Sequence, residues 1–310
     1  MVPNDYYIGD NLELLKQLQD GSCDMIYFDP PYNTGRDFSD FKDQYPSMLA
    51  YRDSFLKPRL IECRRVLKKT GNIIVHVDPT ISHHVRLLMD QIFGEKKFVN
   101  EIVWITGGNA KNKRKMNRFH DTLICYKMSN KSTFNPMYLP YDDKYKKSSS
   151  VKVCEYSGKE FVTTAIHNSQ PHINPRPNLR YEWNGHEKQW YVSLDKMKQL
   201  HDDNRLSYNK KGVPRIKRYL EEMDGIPIRD VWSDINNVQA SEKLDYATQK
   251  PVKLLDRVVN MFSDEGDLVV DIFAGSGTTG RSAKRLKRNY ILFDRNPKGK
   301  NLFKESIENE

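Results

Sequence analysis

The sequence predicts an α/β fold, and three observations carry that prediction. Short apolar runs of strand length alternate with amphipathic stretches at helical spacing in residues 5–105 and again in residues 251–307. Two of the apolar runs end in turns rich in chemistry, Asp29-Pro30-Pro31-Tyr32 and Asp271-Ile272-Phe273-Ala274-Gly275-Ser276-Gly277, and open α/β sheets bind ligands at the carboxyl ends of their strands. Between the two periodic segments lies a long stretch of weak periodicity and high basic charge, which reads as a separate region.

In chain order, residues 6–9 read as a short strand and residues 11–18 as a helix with Asp10 near its cap. Residues 25–28 form a buried strand that two prolines stop. Residues 47–69 carry apolar side chains at helical spacing, with Gly71 expected to end that helix before a strand at 72–77. A helix over 82–93 and strands near 98–105 and 123–126 follow. After the middle region, Pro251 at a first turn opens a helix whose apolar face holds Leu254, Leu255, Val258, Val259 and Phe262. A buried strand at 268–273, a small-residue loop at 274–277, a helix at 278–286, a strand at 290–293 and a helix at 298–307 complete the chain.

Charge separates the regions. Residues 104–220 hold 23 Lys and Arg against 10 Asp and Glu, whereas residues 1–103 hold 13 against 15 and residues 221–310 hold 14 against 16. A basic segment between two nearly neutral ones fits a polyanion, above all nucleic acid. No window is apolar enough for a membrane span and the amino terminus lacks the pattern of a secretory signal. Cys23, Cys63, Cys125 and Cys154 lack CxxC spacing and are expected to be buried, reduced thiols of a cytoplasmic protein. No spacing marks a metal site.

The loop Gly275-Ser276-Gly277-Thr278-Thr279-Gly280 fits GxGxxG between a strand and a helix, with Asp294 at the end of the next strand. Spacing alone permits a dinucleotide; the absence of a Lys before Thr argues against a P-loop. Asp271 at the strand end would repel a pyrophosphate and could pair with the ammonium of a methionine moiety. The loop, Asp271 and Ala274 to Thr279 therefore favour S-adenosylmethionine over NAD, with Asp294 accepting from the ribose hydroxyls.

The other strand end suits methylation of a planar amino group. Such a nitrogen is a poor nucleophile, and positive charge develops on it as the methyl arrives. Asp29 can accept one N–H while the Pro30 carbonyl accepts the other, with no amide N–H on Pro31 to compete. Both acceptors stabilise the developing charge. Tyr32 offers an aromatic face to a base turned out of the duplex, where stacking contributes about 1–3 kcal/mol.

Taken together, these residues resemble S-adenosylmethionine-dependent DNA amino-methyltransferases, in particular the permuted β group of adenine-specific enzymes. DPPYNTG (29–35) is similar to the catalytic motif, DIFAGSGTTG (271–280) to the cofactor motif and TQKP (248–251) to the segment before the cofactor strand. Residues 98–104 and 230–235 are familiar from the same enzymes. The motif order, catalytic first and cofactor last, is that of the β group. The resemblance implies a Rossmann-like methyltransferase fold with a mainly parallel, circularly permuted sheet built from residues 1–106 and 226–310. Residues 107–225 would be the inserted target-recognition region, 120–130 excepted as a strand of the catalytic sheet. It also implies that Asp10, Asp29 and Lys250 line the cofactor pocket and that Phe273 sits beside the adenosyl group. Asp294 stands where glutamate is more usual. The activity implied is transfer to the 6-amino group of adenine in duplex DNA with base flipping. The 4-amino group of cytosine is the alternative, for which Ser is more usual than Asp at position 29. Double-stranded DNA is the implied partner, and a homodimer and a cognate restriction endonuclease are the further partners the resemblance admits. Within the middle, Lys111, Lys113, Arg114, Lys115 and Arg118 are the candidate phosphate contacts. An NAD-dependent oxidoreductase would leave DPPY and the basic middle unexplained, and a non-catalytic DNA-binding module would leave the cofactor loop without a use.

Overall fold

The computed structural model describes residues 1–33, 35–37, 42–107, 114 and 116–308. The chain divides into two compact units, one formed by Met1–Pro136 with Arg229–Glu310, the other by Met137–Ile228.

In the first unit an eight-stranded sheet forms from β1 (Asp5–Ile8), β2 (Cys23–Phe28), β3 (Leu67–Val77), β4 (Phe98–Ile105), β5 (His120–Lys127), β6 (Val231–Trp232), β7 (Leu268–Asp271) and β8 (Asn289–Asp294). Their order across the sheet is β1-β8-β7-β2-β3-β5-β4-β6. The strands from β1 to β3 run parallel, β5 is antiparallel to both neighbours, and β6 is parallel to β4. The helices are α1 (Asn11–Lys16), α2 (Lys57–Val66), α3 (Pro79–Phe93), α4 (Val252–Phe262), α5 (Thr278–Arg285) and α6 (Pro297–Glu308).

Strand alternation sends successive side chains to opposite faces. Ile26 and Phe28, Ile73 and Val75, and Val270 with Phe293 join one core with Leu15 of α1, Leu60 and Cys63 of α2, and Val85 and Leu88 of α3. On the other face α5 closes on the sheet so tightly that a Cβ at Gly280 would lie 2.5 Å from Leu292 Cδ1. Both faces are therefore covered, which is why the central strands carry apolar runs such as Met25–Phe28 and Ile73–Val75.

The sheet order places the ligand site. From β7 the chain runs through α5 to β8 on one side, whereas β2 leads to β3 on the other. The boundary between β7 and β2 is thus the switch point of the sheet, the crevice where open α/β folds bind ligands. Asp271 pairs in register with Tyr27 there, so residues 244 positions apart in sequence become neighbours.

One expectation needs correction. The helix expected over 47–69 is a short turn at Met48–Ala50, a π-helical stretch at Tyr51–Leu56 and α2, which stops at Val66. Leu67 already pairs with Cys23, and residues 68–71 bulge before Asn72 pairs with Met25. Gly71 therefore lies inside the strand instead of ending a helix; a Cβ there would sit 2.8 Å from Leu67 Cδ2 and 3.1 Å from the Asp24 carbonyl oxygen. The first unit extends past residue 107. β5 is inserted between β3 and β4, and Asn135 donates to the Asn260 and Ser263 carbonyls, so the chain stays with the first unit as far as Pro136.

The second unit holds a four-stranded antiparallel sheet in the order 206–208, 214–219, 160–165, 152–153, a hairpin of Arg180–Trp183 with His186–Gln189, and a helix at Leu194–Asp202. Its core gathers Ile166, Trp190, Met197, Leu200 and Leu206. Trp190, one of the aromatic residues suited by type to base contact, is fully buried and donates to the Tyr181 carbonyl at 2.8 Å. Residues 137–228 hold 16 Lys and Arg against 12 Asp and Glu, whereas residues 104–136 hold 7 against 1. Much of the positive excess read from the sequence thus belongs to the first unit. All four cysteines are buried free thiols. No described helix is long and apolar enough to cross a membrane.

Candidate active site

A cavity of about 460 Å³ opens at the ends of β2 and β7, within the size range of small-molecule sites. Asp29, Pro30, Pro31 and Tyr32 line it from one side and Asp271, Phe273, Ala274 and Gly275 from the other. Ser276, Thr278, Thr279, Asp294 and Lys250 line it too. The structure thereby brings together nearly all the residues that the sequence singled out at two distant points.

Asp271 is 3% exposed. Its Oδ1 accepts the Phe273 amide at 2.9 Å and its Oδ2 accepts the Thr279 hydroxyl. Burial pushes its carboxyl up to about 7, against these hydrogen bonds and with help from the charges of Asp29 and Asp294. Asp294 accepts the Gly275 amide at 2.9 Å and the Asn296 amide at 2.8 Å, which fixes its carboxylate at the cavity edge. Phe273 packs between Phe28 and Phe55, at centroid distances of 5.8 and 5.7 Å.

Gly277, although within the motif, does not line the cavity. Its φ is +80°, and a Cβ would lie 2.5 Å from Phe303 Cδ2 on α6. Packing and backbone conformation demand glycine there, a different reason from close approach to a pyrophosphate.

The opposite wall is a charged cluster. Asp29 accepts from the Tyr32 hydroxyl and pairs with Lys250 Nζ at 2.9 Å; Lys250 also donates to the Tyr32 hydroxyl oxygen at 3.2 Å. Burial holds the Tyr32 phenol well above the usual tyrosine value, with the Asp29 charge adding to the effect, so it stays protonated as a donor. Burial works to lower the Lys250 ammonium, but the carboxylates of Asp29 and Asp121 outweigh it and raise it above the usual lysine value.

Asp10 is placed one step back from the cavity. It caps α1 by accepting the Leu12 amide and ion-pairs with Arg59 at 3.3 Å and with Arg295, both of which line the cavity. Of the candidate phosphate contacts, Lys111, Lys113 and Lys115 lie outside the described residues. Arg114 is exposed, and Arg118 pairs at 2.6 Å with Asp78, the cap of α3.

Sequence reasoning missed Arg59, Phe55 and the Asp121–His76 pair. Arg59 is 5% exposed, donates to Asn11 Oδ1 at 2.6 Å and to the Phe55 carbonyl at 2.8 Å, and covers the Phe55 ring at 4.1 Å. The available signal was its position among the buried Leu56, Leu60 and Cys63 of one helical face, where a cation needs a partner.

The residues fit a zwitterionic, adenosyl-bearing ligand: carboxylates for an ammonium and ribose, arginines for a carboxylate, and an aromatic ring for the adenine. A relative from Enterobacter cloacae, Type II methyltransferase M.EcaI, is 29% identical over 317 residues, which cover 95% of this chain and 67% of that one. The StyLTI Mod subunit, a Type III restriction-modification enzyme of Salmonella typhimurium, is 27% identical over 343 residues, 93% of this chain; the chain spans about half, 52%, of its length. The solved complex of M1.HpyAVI with S-adenosylmethionine shares the fold with a TM-score of 0.51 at 15% identity, covering 98% of each chain. The family model for DNA methylases, N6_N4_Mtase, matches residues 23–305. That match takes in both strand ends, and the chain belongs to the N6_N4_Mtase family of DNA methylases.

Proposed function

We propose that the protein is a site-specific DNA methyltransferase that moves the methyl group of S-adenosylmethionine to the exocyclic 6-amino group of adenine in duplex DNA. The observation that carries this reading is the single cavity shared by Asp29 with Tyr32 and by Asp271 with Asp294. Bound S-adenosylmethionine supplies an electrophilic methyl on a sulfonium; the new N–C bond forms as the S–C bond breaks, and the nitrogen then sheds one proton.

The chain's own residues do the rest. Asp271 holds the ammonium of the cofactor, Asp294 its ribose and Phe273 its adenine ring, while Arg59 and Arg295 face its carboxylate. Asp29 and the Pro30 carbonyl accept the two amine N–H groups and stabilise the charge that builds on nitrogen. Tyr32 stacks on the flipped base. An aspartate at position 29 in place of a serine favours adenine over the 4-amino group of cytosine. Residues 137–228 read the target sequence, and Lys111, Lys113, Arg114 and Lys115 contact phosphates. A restriction endonuclease of matching specificity is the expected counterpart, as for relatives in restriction-modification systems, and the bacterial or archaeal cytoplasm is the expected location.

Tritium from labelled S-adenosylmethionine is expected to be retained on unmethylated, mixed-sequence genomic DNA and not on RNA of matched length. Retention on RNA, or on neither polymer, contradicts the reading.

A further inference from the structure

Lys250 stands between two carboxylates. Its Nζ is 2.9 Å from Asp29 Oδ2 and 3.8 Å from Asp121 Oδ2, and these are its two acidic partners among the described ion pairs. The three side chains are 16–20% exposed. Asp121 has no place in the chemistry assigned above, yet it is held firmly. His76, fully buried, meets its Oδ2 through Nε2 at 3.2 Å and meets the Tyr27 hydroxyl through Nδ1 at 2.8 Å. Burial holds the Tyr27 phenol well above its usual value, so its hydroxyl stays protonated beside Nδ1, while Nε2 of the same ring is directed at Asp121. Tyr27, His76 and Asp121 come from β2, β3 and β5, three adjacent strands. Burial would raise the Asp121 carboxyl, but the His76 hydrogen bond and the charges of His76 and Lys250 lower it below the usual range, so it is ionised.

A lysine fixed on Asp29 conflicts with methyl transfer. The carboxylate must answer positive charge on the amine nitrogen, and a second cation 2.9 Å from the same group opposes that charge. We infer that Asp121 is the second berth for Lys250: when the target amine reaches Asp29, the ammonium moves from Asp29 to Asp121. Asp29 is then left with Tyr32 and the amine as its partners, and the buried ammonium keeps a counter-ion throughout. Asp121 is a positioning residue that acts through Lys250, with Tyr27 and His76 fixing its orientation. This inference rests on the proposed transfer to a base amine.

The test is single-turnover transfer from labelled S-adenosylmethionine to unmethylated genomic DNA by the full chain, with binding of both ligands measured separately. Asp121→Asn is expected to lower the turnover rate about 10- to 100-fold, with cofactor and DNA dissociation constants within about twofold of wild type. Asp121→Glu is expected to recover most of the rate. In a Lys250→Met background, Asp121→Asn should change the rate by less than about twofold, since nothing remains to be moved. An unchanged rate in Asp121→Asn overturns the inference, as does an equal drop in the Lys250→Met background or a drop explained by lost binding. If Asp121→Asn does not fold, Asp121→Ser, which keeps an acceptor for His76, is read by the same criteria. Wild-type protein that transfers no label to DNA overturns the functional reading itself, and this inference with it.

Discussion

Asp29→Ala is expected to lower methyl transfer about 10²- to 10³-fold, the loss usual when a group aimed at developing charge is removed. Cofactor affinity should stay within a few-fold, because in the proposed reading Asp29 faces the amine while Asp271 and Asp294 face the other ligand. Asp29 sits at the end of β2 with Tyr32 and Lys250 as partners, whereas Asp271 at the end of β7 is tied to the Phe273 amide and Thr279. Equilibrium binding of S-adenosylmethionine beside a transfer assay measures both halves. A variant that loses cofactor binding in proportion to activity places the catalytic centre elsewhere.

Asp271→Asn is expected to do the reverse. Removing one partner of a buried, hydrogen-bonded charge pair costs about 2–5 kcal/mol, so cofactor binding should weaken by at least roughly 30-fold. The pH dependence supplies a second signature. The carboxyl of Asp271 lies up at about 7 in the free protein, and an ammonium requires it ionised. Wild-type affinity should therefore fall up to about tenfold per pH unit below 7 and level off above it, and the Asn variant should lack that slope. Stability of the free protein runs the other way. A carboxyl raised on folding contributes stability that is fully present below its unfolded value and is lost as pH rises through about 7. Calorimetric titration across pH 5.5–8.5, with thermal unfolding in parallel, reads both. A flat affinity profile in wild type removes the ammonium contact from Asp271.

Much of this site was legible in the sequence because each half is local. An apolar strand followed by DPPY, and another followed by a glycine loop, announce two strand ends without any tertiary information. That the two are neighbours is a property of sheet order, which no local pattern encodes; here it followed from the family's motif order and is seen in the pairing of β7 with β2. What stayed hidden depends on side chains whose role arises only on burial. His76 alternates among apolar residues of β3 and resembles any strand residue, and Asp121 opens a strand without a motif around it. Arg59 looked like one more cation of a basic helix until its burial against Phe55 and Asn11 set it apart. Gly71 misled for the related reason that glycine after a helical pattern reads as a stop, whereas a close approach to Asp24 across the strand pair also demands it. The charge pattern located a basic segment correctly but not its owner, since residues 104–136 belong to the sheet-bearing unit.

The Asp29 end of the cavity is proposed to hold the exocyclic amine of adenine. Nucleoside digestion of genomic DNA after incubation with the protein and labelled S-adenosylmethionine, followed by mass spectrometry, tests it most directly. Label is expected in 6-methyladenine. Label in 4-methylcytosine contradicts the choice of base, and label on a ring carbon of cytosine contradicts the amine chemistry altogether.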